Sequence, residues 1–253
     1  MKKIGRMVPT IVAAVILSLI NIAYGETLAD YEFNDLTDSA STYDLGKQPW
    51  NSTITVTNGQ AVFDGSGFYY AGAGADLIQS QSFTCETVFS ISQTGMRHEL
   101  VAEEAWNDRG WALYVGANNG ITLSLAKNST TSRYYNLSIG GVSSNLIESG
   151  KSYYVAAAID TSRVADDKTA KVTFYLQNLT DGGELLTFIA TDAYNQQDAI
   201  YNPSVGLCIG GNHYQSNTYM KGTVERVRLS EGVLPRVGLF IIPRKVSLVL
   251  IHN

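Results

Sequence analysis

Two short stretches combine aromatic rings with amide and carboxylate side chains. They are Trp106-Asn107-Asp108, followed by Trp111, and Asn212-His213-Tyr214, followed by Tyr219. This mixture suits sugars: a C–H face packs on an electron-rich ring, and amides and carboxylates take the hydroxyl hydrogen bonds. Trp106, Asn107, Asp108, His213, Tyr214 and Tyr219 are therefore the candidate ligand-binding residues. Trp111 alternates with Leu113 and is expected in the core.

Other chemistries find less support. His98 and His213 are the only histidines between residues 26 and 235, and no His-x-x-x-His pair that could hold zinc occurs. The Gly-x-Ser-x-Gly nucleophile elbow of serine hydrolases is absent, and Gly65-Ser66-Gly67 falls in a turn. A lyase using His and Tyr as base and acid would need His98 and His213 brought together by the fold. The acidic run Glu99, Glu103, Glu104 and Asp108 is expected on a solvated loop rim; on a strand, Glu103 and Glu104 would face opposite sides. Glu225 alternates with Val227 and Leu229, on the apolar face of an expected strand. A carboxylate there needs an arginine, a shared proton or a metal ion.

The elements that position these residues follow from composition and period. The chain has 253 residues, 45% hydrophobic and 16% charged, which is globular and poor in charge. Six of its 18 basic residues lie in 1–25 and 236–253, leaving twelve against all 23 acids in 26–235, a net of −11. That balance argues against a nucleic-acid partner. Lys2, Lys3 and Arg6 precede an apolar run from Val8 to Ile20, and Ala23-Tyr24-Gly25 supplies small residues for cleavage. Residues 1–25 thus read as a secretory signal peptide, cut after Gly25, and the run is too short for a membrane span. The protein is expected to be secreted or at the cell surface, with no transmembrane span in the mature chain. Residues 236–253 form a basic, apolar tail whose two apolar bursts are broken by Pro243-Arg244-Lys245.

Between these ends, period-two alternation recurs without sustained helical periodicity. Strands are expected at 28–33, 53–57, 61–63, 67–71, 83–91, 110–116, 121–126, 153–160, 170–177, 185–191, 205–210 and 222–229. Turn pairs such as Asn58-Gly59 and Asp64-Gly65 separate several of them. About a dozen short strands make residues 26–235 one all-β domain, a two-sheet antiparallel sandwich. Tyr69-Tyr70, Tyr134-Tyr135 and Tyr153-Tyr154 should each put one ring on either face, with one ring of each pair towards solvent. Cys85 is in step with Phe83 and Phe89, whereas Cys208 is out of step with Leu207 and Ile209, which argues against a disulfide between them.

The order of segments resembles the concanavalin A-like lectin/glucanase superfamily, in its laminin-G-like jelly-roll branch of secreted bacterial proteins. The resemblance rests on LADYEFND (28–35), AVFDGSGFYYA (61–71), SFTCETVFSI (82–91), GWALYV (110–115), GKSYYVAAAID (150–160), KVTFYL (171–176), VGLCIGGN (205–212) and KGTVERVRLSEGVL (221–234). Two positions depart from the pattern: Val88 stands where the branch has Trp, and Glu225 where it has Asp. The resemblance implies a jelly roll that binds an extracellular polysaccharide, a glycoconjugate or a surface protein. It also implies a structural calcium between the first and last strands, with Glu32, Asp64 and Glu225 as metal ligands. Related glucanases carry Glu-x-Asp-x-x-Glu on one strand; this sequence has no such spacing, so a binding module is expected rather than an enzyme. A divergent glycoside hydrolase or polysaccharide lyase, and a purely structural surface domain, are the alternatives.

Overall fold

The computed structural model describes residues 25–40, 43–72, 82–105, 108–128, 130–137, 144–160, 171–191, 205–213, 216–236 and 239. Fifteen strands run through them: β1 Thr27–Tyr31, β2 Gly46–Gln48, β3 Thr55–Thr57, β4 Gln60–Asp64, β5 Phe68–Tyr70, β6 Phe83–Ile91, β7 His98–Ala105 and β8 Asp108–Val115. They continue as β9 Ile121–Asn128, β10 Thr131–Asn136, β11 Ser152–Asp160, β12 Lys171–Asn178, β13 Leu186–Thr191, β14 Cys208–Ile209 and β15 Lys221–Glu231. The one helical turn among the described residues is the 3₁₀ segment Ser216–Thr218, and no helix there is long and apolar enough to cross a membrane.

Two antiparallel sheets result. The first has the order β13-β12-β11-β6-β15-β4-β3, with β1 also pairing β15. The second has the order β10-β9-β8-β7-β14-β5-β2. Strand β15 reaches both neighbours on one side because it is long: Lys221 to Val224 oppose β4, and Val227 to Ser230 oppose β1. The core lies between the sheets, where Phe83, Phe89, Val155, Phe174 and Leu229 of the first meet Leu100, Leu113, Leu123 and Trp111 of the second. The two-sheet sandwich expected from the alternation is the fold observed.

The first sheet is buried on both faces at its centre. Tyr153, Val155, Ala157 and Ile159 of β11 join the core, while Tyr154, Ala156 and Ala158 pack outward with Val88, Leu185, Leu234 and Leu239. The opposed orientation of Tyr153 and Tyr154 follows the expected alternation, but Tyr154 does not face solvent. Its hydroxyl donates to Oε1 of buried Glu86 at 2.9 Å, and Nε of Arg228 donates to Oε2 at 2.6 Å. Burial, and then the Glu86 charge, raises the Tyr154 pKa far above the ordinary tyrosine value. Tyr69 is likewise in the core and Tyr70 is half-exposed on the opposite face; the side chains of Tyr134 and Tyr135 lie outside those described.

Three strands escaped the alternation: β2, β7 and β10. The largest departure is β7, where a solvated rim was expected and a central strand is found. Glu99 and Glu103 are fully buried and Glu104 is 5% exposed. Register shifts between Glu99 and Val101, and again between Glu103 and Ala105, break the period of two. Such bulges place consecutive residues on one face and hide the strand from a strict alternation. Glu103 and Glu104 do face opposite sides, as strand geometry requires. Cys85 is in the core, Cys208 faces outward from the second sheet, and both are free thiols.

Replacing Arg228 by Met should test the outward cluster on the first sheet. It removes the guanidinium bound to a carboxylate that is out of water, so unfolding by denaturant should show a loss of about 3–5 kcal/mol. A loss no larger than that of an ordinary surface substitution would contradict the arrangement.

Candidate functional site

The outward face of the second sheet carries the functional candidates. Opposed residues in antiparallel strands point to the same side, so Tyr70, Cys208, Ala102, Ala112 and Ser124 form one row across β5, β14, β7, β8 and β9. Beside it, Glu99, Tyr114 and Thr122 form a second row. Leu100 and Val101 both turn inward at the first bulge of β7, which returns Glu99 and Ala102 to the same outward face.

Glu99 is the anchor of this face. Its carboxylate is ion-paired with Arg97, whose guanidinium carbon lies 3.7 Å from the centre of the Tyr114 ring. Arg97 Nη2 is also 3.9 Å from Glu104 Oε2. Asn212 Nδ2 donates to Glu99 Oε1 at 2.9 Å, while Glu99 Oε2 has no hydrogen-bond partner among the described residues. Burial, countered by Arg97 and reinforced by the Glu104 charge, pushes the Glu99 carboxyl up to about 8. On the inward side, Glu103 Oε2 accepts the Trp111 indole N–H at 3.0 Å, and Trp111 packs on Phe83. Trp111 is thus a core residue, as its alternation predicts.

The turn that carries Asn212 delivers an aromatic cluster to the same face. The next residue, His213, packs edge-on against Phe68 and Tyr70, with ring centroids 4.9 and 4.6 Å apart. Phe68 in turn contacts Tyr219 at 5.4 Å. The close approach requires glycine at 211: a Cβ there would lie 2.7 Å from Phe68 Cβ and 2.9 Å from Tyr219 Cδ1. His213 is exposed, Tyr70 and Tyr219 are half-buried, and partial desolvation lowers the His213 pKa below the ordinary histidine value.

His213 reaches the end of β7, beside the first of the two stretches singled out from sequence. The His213 amide donates to the Glu104 carbonyl at 3.1 Å, and His213 forms a parallel bridge with Ala105, which opposes Asp108 on β8. His213 and Tyr219 therefore share one cluster, and the Asp108 backbone lies two strands along from His213. Trp106, Asn107 and Tyr214 lie outside the described residues. Sequence reasoning missed Phe68, Tyr70, Arg97 and Glu99. The outward placement of Tyr70 was available from alternation, whereas Glu99 was hidden by the bulge.

The three carboxylates considered as metal ligands are not brought together. Glu32 is exposed, its Oε1 3.2 Å from Arg226 Nη1; Arg226 also grips Asp30 through Nε at 2.9 Å and Nη2 at 2.6 Å. Asp64 accepts from the Thr53 hydroxyl and, at 2.9 Å, from the Ser66 amide; these partners hold its carboxyl at about 2, with the Ser66 and Thr53 side chains the main causes. Glu225 falls at a bulge between Val224 and Arg226, which lifts it off the apolar face to accept from Gln60 Nε2 at 3.0 Å. Among the described residues, no three His, Cys, Asp or Glu side chains converge as a metal ion would require.

The histidine pair of a lyase is not assembled either. His98 opposes Val115 on the inward face, accepts the Lys221 amide at Nδ1 (3.2 Å) and donates from Nε2 to the Gln93 carbonyl (2.8 Å). This fixes one neutral tautomer and ties the two sheets together. His213 stands on the other side of the sheet.

No family model and no curated protein matches this sequence. Solved structures do share its fold. Domain 4 of AbnA, a GH43 extracellular arabinanase from Geobacillus stearothermophilus, in complex with arabinotriose, superposes with a TM-score of 0.57 at 18% identity, over 85% of this chain and 97% of that domain. The receptor binding domain of botulinum neurotoxin mosaic serotype C/D gives 0.57 at 12% identity, over 83% of this chain and 48% of the other. The serotype D ligand binding domain in complex with N-acetylneuraminic acid gives 0.53 at 12% identity, over the same shares. The chain thus spans about half the length of these toxin domains. The similarity defines the class: a β-sandwich of the architecture used by these binding domains.

The Glu99 environment makes stability depend on pH. A carboxyl whose folded pKa of about 8 exceeds its ordinary 4.5 contributes stability at low pH that is lost as pH rises between those values. Melting temperature should therefore fall from pH 4.5 towards pH 8, by about 2–4 °C for each kcal/mol lost. Glu99→Gln should flatten that decline; parallel profiles for the two chains would contradict the assignment.

Proposed function

We propose that this protein is an exported, non-catalytic carbohydrate-binding module of the laminin-G-like jelly-roll type. Its ligand is an extracellular polysaccharide or glycoconjugate, held on the outward face of the second sheet by the cluster of Tyr70, His213 and Tyr219. The observation that carries this reading is the convergence of exposed His213 and half-buried Tyr70 and Tyr219 on one face, above Glu99 and Asn212. Aromatic faces and polar groups side by side are what a neutral, hydroxylated ring needs. A domain that shares this sandwich over nearly its whole length has been solved in complex with arabinotriose.

Two features favour binding over catalysis. Glycosidase chemistry needs one carboxyl group to give a proton and another to meet the anomeric carbon or its attacking water. Here Glu99 is engaged by Arg97 and Asn212, and Glu103 turns into the core to meet Trp111. Export follows from the signal-like residues 1–25, and the acidic balance of 26–235 suits a soluble extracellular domain.

Electrophoresis through gels containing soluble polysaccharides tests the site. His213→Ala should weaken retention about tenfold, the cost of one stacked ring. Because His213 is exposed, stability should change by no more than about 0.5 kcal/mol. Retention that is unchanged, or lost only together with the fold, would count against the assignment.

A further inference from the structure

One aromatic residue outside the described cluster stands apart. Trp50 is 87% exposed, the most exposed large hydrophobic side chain among the described residues. It follows β2 at the edge of the second sheet, in a turn closed by the Ser52 amide donating to the Pro49 carbonyl at 2.9 Å. A second set of bonds fixes the far side of that turn. The Thr53 amide donates to Ser66 Oγ at 3.0 Å, and the Thr53 hydroxyl bonds Asp64. Gly67 lets the turn lie against the chain, since a Cβ at 67 would be 2.4 Å from the Gln48 carbonyl and 2.6 Å from Ser52 Cβ. The indole is thus displayed on a backbone tied at both ends, which lowers the ordering cost of binding anything to it.

Register gives this display its meaning. Gln48, two residues before Trp50, opposes Phe68, and Phe68 packs against His213 and Tyr219. His213 bridges Ala105, which opposes Asp108. The Trp50 turn therefore adjoins the Phe68 side of the aromatic cluster, at the edge of the same sheet. From β2 through β5 and β14 to β7, which His213 bridges, are three inter-strand steps, about 14 Å across the sheet. Residues 48–53 carry no charge, and Gln48 and Asn51 are exposed amides on either side of the indole. An uncharged ring flanked by amides fits a neutral sugar better than an anionic or cationic group.

We infer that Trp50 is a distal subsite of the sugar-binding face, so that the site takes an internal run of several neutral sugar rings in a polymer and not a single terminal sugar. This rests on the carbohydrate-binding reading above and specifies its ligand. His213 and Tyr219 hold one part of the chain, and Trp50 stacks on a ring further along it.

Calorimetric titration with gluco-, xylo- and arabino-oligosaccharides, from disaccharide to hexasaccharide, separates the two proposals. For whichever series binds, affinity should rise with length. Trp50→Ala should bind the hexasaccharide about tenfold more weakly and the disaccharide as the natural chain does. The natural protein should also show protection of an exposed tryptophan from acrylamide quenching with the hexasaccharide only, and Trp50→Ala should lose that protection. Binding that is independent of length, or a length dependence that survives Trp50→Ala, overturns the extended site while leaving carbohydrate binding intact. No binding by any of the three series, with the protein folded, overturns both.

Discussion

A carboxyl group held out of water beside an arginine organises the outward face of the second sheet. Glu99 sits on a central strand, where burial disfavours its charged form and its polar atoms need partners. Arg97 meets it from just before the same strand, lying over the Tyr114 ring, and Asn212 meets it from the turn after β14. The amide from Asn212 has a second consequence. It fixes the turn whose next residue is His213, and the backbone bond from His213 to Glu104 completes the attachment. The exposed aromatic cluster therefore depends on a buried polar group for its position. A buried network of this kind favours one arrangement when its members are satisfied.

The same logic operates on the opposite sheet with a different outcome. Glu86, Arg228 and Tyr154 form a buried polar group there too, but they lie beneath Leu234 and Leu239 among the outward hydrophobic residues. One sheet thus uses its outer face to add a second layer of packing. The other uses its outer face to present rings and polar groups. This division explains why the candidate site lies where it does, although both sheets have central strands with buried carboxylates.

Much of the fold was legible in the residues. The alternation of Val172, Phe174 and Leu176, or of Ile121, Leu123 and Leu125, marks one buried face with little ambiguity, and each set lies in the core. The opposite orientations of Cys85 and Cys208 were readable from the same rule, as was the inward Trp111. Glu99 and Glu225 were not, for a shared reason: each lies at or beside a bulge, and one extra residue reverses every inference drawn from parity. Of the site, the choice of His213 and Tyr219 came from composition alone. Their association with Phe68 and Tyr70, from a strand some 140 residues earlier in the chain, is a matter of sheet order that no local pattern contains. Trp50 was overlooked because an aromatic in a short turn has no periodicity to mark it; only its exposure does.

The central claim is that sugar binds on the outward face of the second sheet, at the cluster of Tyr70, His213 and Tyr219. The most direct measurement is a two-dimensional amide NMR titration of the isotope-labelled protein with the neutral oligosaccharides. The account predicts shifts concentrated at the amides of Ala105, Gly211, Asn212, His213 and Tyr219, with those of the outer face of the first sheet, around Tyr154 and Glu86, unmoved. Shifts centred on the first sheet, or a folded protein whose spectrum no oligosaccharide alters, would contradict it.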